Sequence, residues 1–206
     1  MSLTSFLHTQ HPAAGPVDDT VFDTARLVID VEHTFTAPRS AVWAVLDGTD
    51  AWSWLPFPGC GVRYHSPERG AGVVREMGSV AGPWRVLWVE RERFWRHQPG
   101  ERITFGVISG NWMQYLLVRQ YAENMSFTDT AAGGTRVVWT IAVTPRFPLR
   151  FATWFPTAWR LAYRYVGLNR GIDRRARQLA AETPSISRNS KTAANTRAAL
   201  EQDGVK

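Results

Sequence analysis

The stretch from Pro145 to Glu182 is the only long segment with sustained helical periodicity, and whatever precedes it must be able to cover it. From Trp154 onward, Ala158, Leu161, Ala162, Tyr165, Leu168, Ile172, Ala176 and Leu179 recur at three- and four-residue steps. That spacing puts them on one side of a helix with about 3.6 residues per turn. Phe155, Trp159, Tyr163 and Val166 add a second apolar arc, while Arg160, Arg164, Gly167, Gly171 and Gln178 fill the opposite side. The N-terminal half of this predicted helix therefore has more apolar side chains than one flat contact can bury. The extra arc either thickens the core at that end or lines a cavity and its mouth.

What covers the helix must come from the strands before it. Leu27 to Thr36 alternates, with Leu27, Ile29, Val31, His33 and Phe35 on one face and Asp30, Glu32, Thr34 and Thr36 on the other, the pattern of a half-buried strand. Ala37-Pro38 ends it, Ser40 to Leu46 reads as a short helix, and a second short helical or turn segment is expected at Asp50 to Leu55. Strands are then expected near Val62 to His65, Gly72 to Met77, Trp84 to Trp95, Arg102 to Ile108, Tyr121 to Thr128 and Thr135 to Thr144. Ala132-Gly133-Gly134 makes a hairpin turn into the last of them. The apolar run Trp112 to Val118 fits neither period and reads as an unassigned connection. Short turns between consecutive strands imply an antiparallel meander. The fold class is α+β, a curved antiparallel sheet of seven strands wrapped around the long C-terminal helix.

Outside this core the two ends differ in character. Residues 1–25 hold Pro12, Gly15, Pro16, Asp18 and Asp19 without apolar periodicity and read as a mobile arm. Residues 183–206 are polar and read as a disordered tail. That leaves 26–182 as one domain, within the size that one core supports.

Charge and cysteine content narrow the function classes. The net charge of +6 lies between Arg146 and Glu182, where eight arginines face only Asp173 and Glu182. Such a helix either presents a solvated face or meets an anionic membrane surface, and nucleic acid is the less favoured partner. No apolar run approaches the roughly 20 residues that cross a bilayer, and no basic and then apolar leader opens the chain. Cys60 is the only cysteine, which excludes an internal disulfide, argues against a structural zinc site and favours a cytoplasmic setting. Neither a metal nor a cofactor is expected, and the oligomeric state is left open.

The order of these elements resembles the START-like or SRPBCC superfamily, in particular its polyketide cyclase/dehydrase and lipid-transport branch. The resemblance is carried by VEHTFTAPRSAVWAVLDGTDAWSWLP (Val31 to Pro56), GVVREM (Gly72 to Met77), GGTRVVWTIAVTP (Gly133 to Pro145) and the terminal helix. It implies a helix-grip fold with two short helices after the first strand and a deep cavity between sheet and helix. Strand parity then suggests the lining: Trp84 and Trp88, Phe105, Phe127 and Trp139 from the sheet, with Trp159 and Tyr163 from the helix. These rings either line the cavity or fill it.

Polar handles are few. Parity puts Arg75 on the face of Val73 and Met77, and Glu90 on that of Trp88, so the two could pair on the concave side and orient a ligand carbonyl or carboxylate, or else form a rim pair. His33 and His65 could each serve as acid or base or be purely structural. No catalytic residue stands out. The functions in view are binding or transport of a hydrophobic small molecule such as a lipid, polyketide or other aromatic, a cyclase, aromatase or dehydratase acting in the same cavity, or a membrane-surface module using the basic helix. Arg146, Phe147, Arg150, Phe151, Trp154 and Phe155 interleave cations with large apolar groups, which suits an anionic bilayer.

Overall fold

The computed structural model describes residues 3–15, 17–147, 151, 153–165 and 169–182, with the side chains at 3, 4 and 163–165 outside that description. Across it, period-two alternation becomes strand almost everywhere it occurs. Strands β2 (Leu27–Phe35), β3 (Cys60–Tyr64), β4 (Val74–Ser79), β5 (Val89–Gln98), β6 (Arg102–Gly110), β7 (Val118–Asp129) and β8 (Thr135–Pro145) form one antiparallel sheet in the order β2-β8-β7-β6-β5-β4-β3. An eighth, two-residue strand, β1 (His11–Pro12), pairs with β6. The architecture is α+β with the expected helix-grip arrangement.

Helix α3 (Arg39–Asp47) follows β2 as expected and buries Ala41, Val42, Val45 and Leu46. Of the helix or turn expected at Asp50 to Leu55, the structure has the turn, a run of four-residue turns in which Ser53 donates to the Asp50 carbonyl at 3.1 Å and Leu55 to that of Trp52 at 2.9 Å. Trp52 stands at φ 67°, left-handed backbone that no helix can contain. The expected strand Trp84 to Trp95 likewise begins late. Gly82 at φ 54°, followed by Pro83, starts a 3-10 helix over Gly82–Val86, so the ladder resumes only at Val89. The unassigned run Trp112 to Val118 is helix α4 (Trp112–Leu117) leading directly into β7.

C-terminal to the sheet lie α5 (Phe155–Tyr165) and a second helical segment, α6 (169–182), with 166–168 outside the described residues. The expected single stripe does not run through both. In α6, Ile172 and Ala176 are fully buried, as the periodicity demands. In α5 the two arcs exchange roles: Phe155 and Trp159 face the core, while Leu161 is 48% exposed. Gly171, which the stripe puts on the polar side, is buried because Trp54 lies against it; a Cβ there would come within 2.2 Å of the indole.

Parts of the N-terminal segment, expected as a mobile arm, lie against the rest of the chain. Helix α1 (Leu3–His8) lies beside α4, where Phe6 meets Tyr115 edge-on at 6.5 Å. Helix α2 (Thr20–Thr24) presses Val21, 1% exposed, onto Ala122 and Ala142 on the convex face of the sheet. Asp19 binds Arg96 at 2.6 Å and the Trp95 indole N–H at 3.0 Å. Anchors carried one per short helix leave no periodicity to read. The expected tail, 183–206, lies outside the described residues.

One more convex-face feature bears on stability. The Glu76 side chain is fully buried and receives Arg63 at 2.5 Å, Arg85 at 2.9 Å and Arg91 at 3.2 Å. Burial alone would raise its carboxyl, but the hydrogen bonds from Arg85 and Arg63 hold it down at about 2 against an ordinary 4.5. A carboxylate depressed by folding contributes stability above its unfolded value and loses it as pH falls towards the folded one. Glu76→Gln should therefore cost about 2–3 kcal/mol at neutral pH after allowing for the partly exposed arginines. In urea unfolding, the wild-type stability should approach that of the variant between about pH 4.5 and pH 2; a constant gap across that window would show that the cluster carries no linked proton.

Candidate functional site

Where the ladder between β6 and β7 stops, the sheet opens. Their last paired residues are Gly106 and Ala122, beyond which β6 pairs with β1 instead and α4 bridges the two strands. Between this opening, the loop after α3 and helix α5 lies a cavity of about 470 Å³, within the range of small-molecule sites. Trp52, Leu55 and Phe57 wall it from the loop, Trp88 and Phe105 from the sheet, Met113 and Leu117 from α4, and Phe155, Trp159 and Ala162 from α5. Trp52 holds its left-handed backbone because its ring is packed against Trp139 at 5.4 Å and Trp54 at 5.7 Å, the over-determined setting in which such strain persists.

Three carboxyl groups reach this mostly apolar space. Glu90 and Glu92 on β5 and Glu123 on β7 all line it, at 5%, 2% and 5% exposure. Arg75 on β4, fully buried, stands directly across from Glu92 in the ladder and its Nε donates to Glu92. The guanidinium lies over the rings of Phe105 at 4.6 Å and Phe94 at 4.9 Å, and Nη1 reaches the Leu46 carbonyl and the Tyr64 hydroxyl, each at 3.4 Å. Tyr64 donates in turn to the Asp47 carbonyl at 3.0 Å. Glu123 accepts from the Tyr121 hydroxyl and from the Trp139 indole N–H, the latter at 3.0 Å.

The electrostatics follow from this count of charges. Burial pushes the Glu90 carboxyl well above the usual carboxylate range, and Glu92 and Glu123 push it further. Glu92 is raised too, because burial outweighs the nearby Arg75, and it accepts a hydrogen bond from Glu90. Burial opposes the charge of Arg75, yet Glu92 and Tyr64 more than offset it and hold the guanidinium protonated. The site thus holds, on the wall of an apolar cavity, a carboxyl group, Glu90, whose protonated form is favoured by burial and by its acidic neighbours, an arrangement able to donate a hydrogen bond or to surrender a proton. Among the described residues no group of three His, Cys, Asp or Glu is placed to hold a metal ion. Burial raises the Cys60 thiol to about 11, which leaves it protonated and unreactive.

Of the residues expected at the site, Trp88, Glu90, Phe105 and Trp159 do line the cavity together. Trp84 does not: it sits on the 3-10 helix, 47% exposed. Phe127 and Trp139 are buried core, Phe127 against Trp43 at 5.2 Å and Trp139 behind Glu123. Arg75 pairs with Glu92 rather than Glu90, because the register opposes Glu90 to Met77. The Tyr163 side chain lies outside those described. Glu92 and Glu123 were not anticipated, although both were legible by parity, Glu92 two residues from Glu90 and Glu123 two from Met125. His65 lies on the convex side, 3.7 Å from Glu76, and His33 packs against Phe35 on β2; neither lines the cavity. Phe147, Phe151 and Trp154 point outward, 69%, 63% and 60% exposed, while Arg146 covers the Tyr115 ring at 4.5 Å; Arg150 lies outside the described residues. No helix among the described residues is long and apolar enough to cross a membrane.

Comparison with known proteins agrees with this geometry. The family model described as polyketide cyclase / dehydrase and lipid transport matches residues 26–177. No curated protein matches the chain. Among solved structures, that of Ara h 8.0201 is similar at 12% identity and a TM-score of 0.56, covering 74% of this chain and 98% of its own. The protein TTHA0849 from Thermus thermophilus is similar at 18% identity and a TM-score of 0.53, covering 75% and 99% respectively. At these identities the likeness is one of fold.

Proposed function

Because the chain belongs to the polyketide cyclase / dehydrase and lipid transport family, we propose that its cavity holds a hydrophobic small molecule with a polar end directed at Glu90, Glu92 and Glu123. The observation that carries this reading is the 470 Å³ cavity itself, walled by aromatic and aliphatic side chains and polar mainly at the three carboxyls. Side chains that only filled a core would leave no such volume, and buried acids without a role would be replaced at little cost by apolar residues.

Native mass spectrometry of the purified protein should show a population heavier by one small molecule, which a ligand-free preparation should regain from added Nile red, a neutral hydrophobic dye. A bare mass together with no dye uptake would overturn the reading.

A second reading rests on Glu90, a carboxyl on the cavity wall whose protonated form burial favours. A carboxylic acid in an apolar wall can protonate a ligand hydroxyl, which leaves as water while Glu92 takes a proton from the adjacent carbon and the C–H electron pair forms the new double bond. In that case a copurified ligand released after incubation would be lighter by one water, which a carrier would never produce.

A further inference from the structure

The cavity's charge pattern narrows what the ligand's polar group can be. Three buried carboxyl groups face the ligand space, whereas Arg75, the one buried guanidinium among the described residues, is not among its lining residues and its Nε is held by Glu92. Other polar groups on the wall supply little that an anion could use. The Tyr121 hydroxyl donates to Glu123, the Trp88 indole bonds Glu90, Gln114 offers one amide, and Trp52 and Trp159 carry one indole N–H each. A ligand carboxylate would thus enter a low dielectric beside three carboxyl groups, with few donors to receive it.

Resting on the proposed binding role, we infer that the cavity selects hydrophobic molecules carrying a protonated nitrogen, lipophilic amines, over fatty acids and other hydrophobic anions. An ammonium group brings up to three N–H donors and the positive charge that Glu90, Glu92 and Glu123 lack among themselves. The same cavity surrounds that end with the rings of Trp88, Phe105 and Tyr121, whose faces attract a cation. The chain as a whole works in the opposite direction: its net charge of +6 attracts anions to the surface. A preference for amines can therefore arise only inside the cavity.

Displacement of bound Nile red at pH 7 by decylammonium, decanol and decanoate, each below its micellar concentration, reads the selectivity directly. Decylammonium should displace the dye at a concentration about tenfold below that of decanoate, the ratio produced by one charge-assisted hydrogen bond, with decanol between them. In the Glu90→Gln, Glu123→Gln double variant the ratio should shrink towards one. Dye that binds but is displaced equally well, or better, by decanoate overturns the amine assignment while leaving the cavity's binding role intact, as does a ratio that persists in the double variant. Failure of the wild-type protein to take up the dye, together with a bare mass in native mass spectrometry, overturns the binding role and the amine assignment together.

Discussion

Arg75→Met should lower stability by about 3–5 kcal/mol, the cost of leaving a buried ion-pair partner uncompensated, and reduce the Tm on the order of 10 °C. Arg75 is fully buried, its Nε holds Glu92, and its guanidinium lies over Phe94 and Phe105. Methionine keeps much of the volume and the ring contacts but removes the cation paired with Glu92. Adding Glu92→Met to Arg75→Met should recover more than half of the loss, since removing both charges removes the desolvation penalty with them. A single variant within about 1 kcal/mol of wild type in urea unfolding would mean that the pair does not hold the sheet together there.

Trp139→Ala carries a comparable expected effect by a different route. Trp139 is 1% exposed, packs on the strained Trp52 and donates its indole N–H to Glu123 at 3.0 Å. Truncation should cost about 3–5 kcal/mol as a large-to-small change in the core. Trp139→Phe should keep most of the packing and lose about 1–3 kcal/mol by leaving Glu123 a donor short. Strand parity puts Trp139 on the cavity wall; the structure puts it one layer behind. Thermal unfolding combined with Nile red titration separates the two positions, because a wall residue would lose dye binding at nearly unchanged stability.

The parts of the fold legible in the sequence were those governed by long repeats of one period. Leu27 to Phe35 and Thr135 to Pro145 alternate over nine and eleven residues, enough for the hydrophobic face to declare itself. Features made by single residues were not legible that way. Trp52 at φ 67° and Gly82 at φ 54° redirect the chain locally, and each ends a regular pattern that propensity alone would extend. The site shows the same division. Parity put Trp88, Glu90 and Phe105 on one face, and they line the cavity, while pairing Arg75 with Glu92 required the cross-strand register, which no single strand contains.

That register has a meaning for how the sheet assembles. Between β4 and β5, Arg75 stands opposite Glu92 and Glu76 opposite Arg91 on successive rungs, so neighbouring residues of one strand are matched to opposite charges on opposite faces. Slipping β5 by one residue in either direction would set Arg75 against Arg91 or Arg93, and Glu76 against Glu90 or Glu92. Both faces would then oppose like charges at once, one of them in the interior. A hairpin misaligned by one residue is thus disfavoured on both faces, and the four side chains Arg75, Glu76, Arg91 and Glu92 mark its alignment.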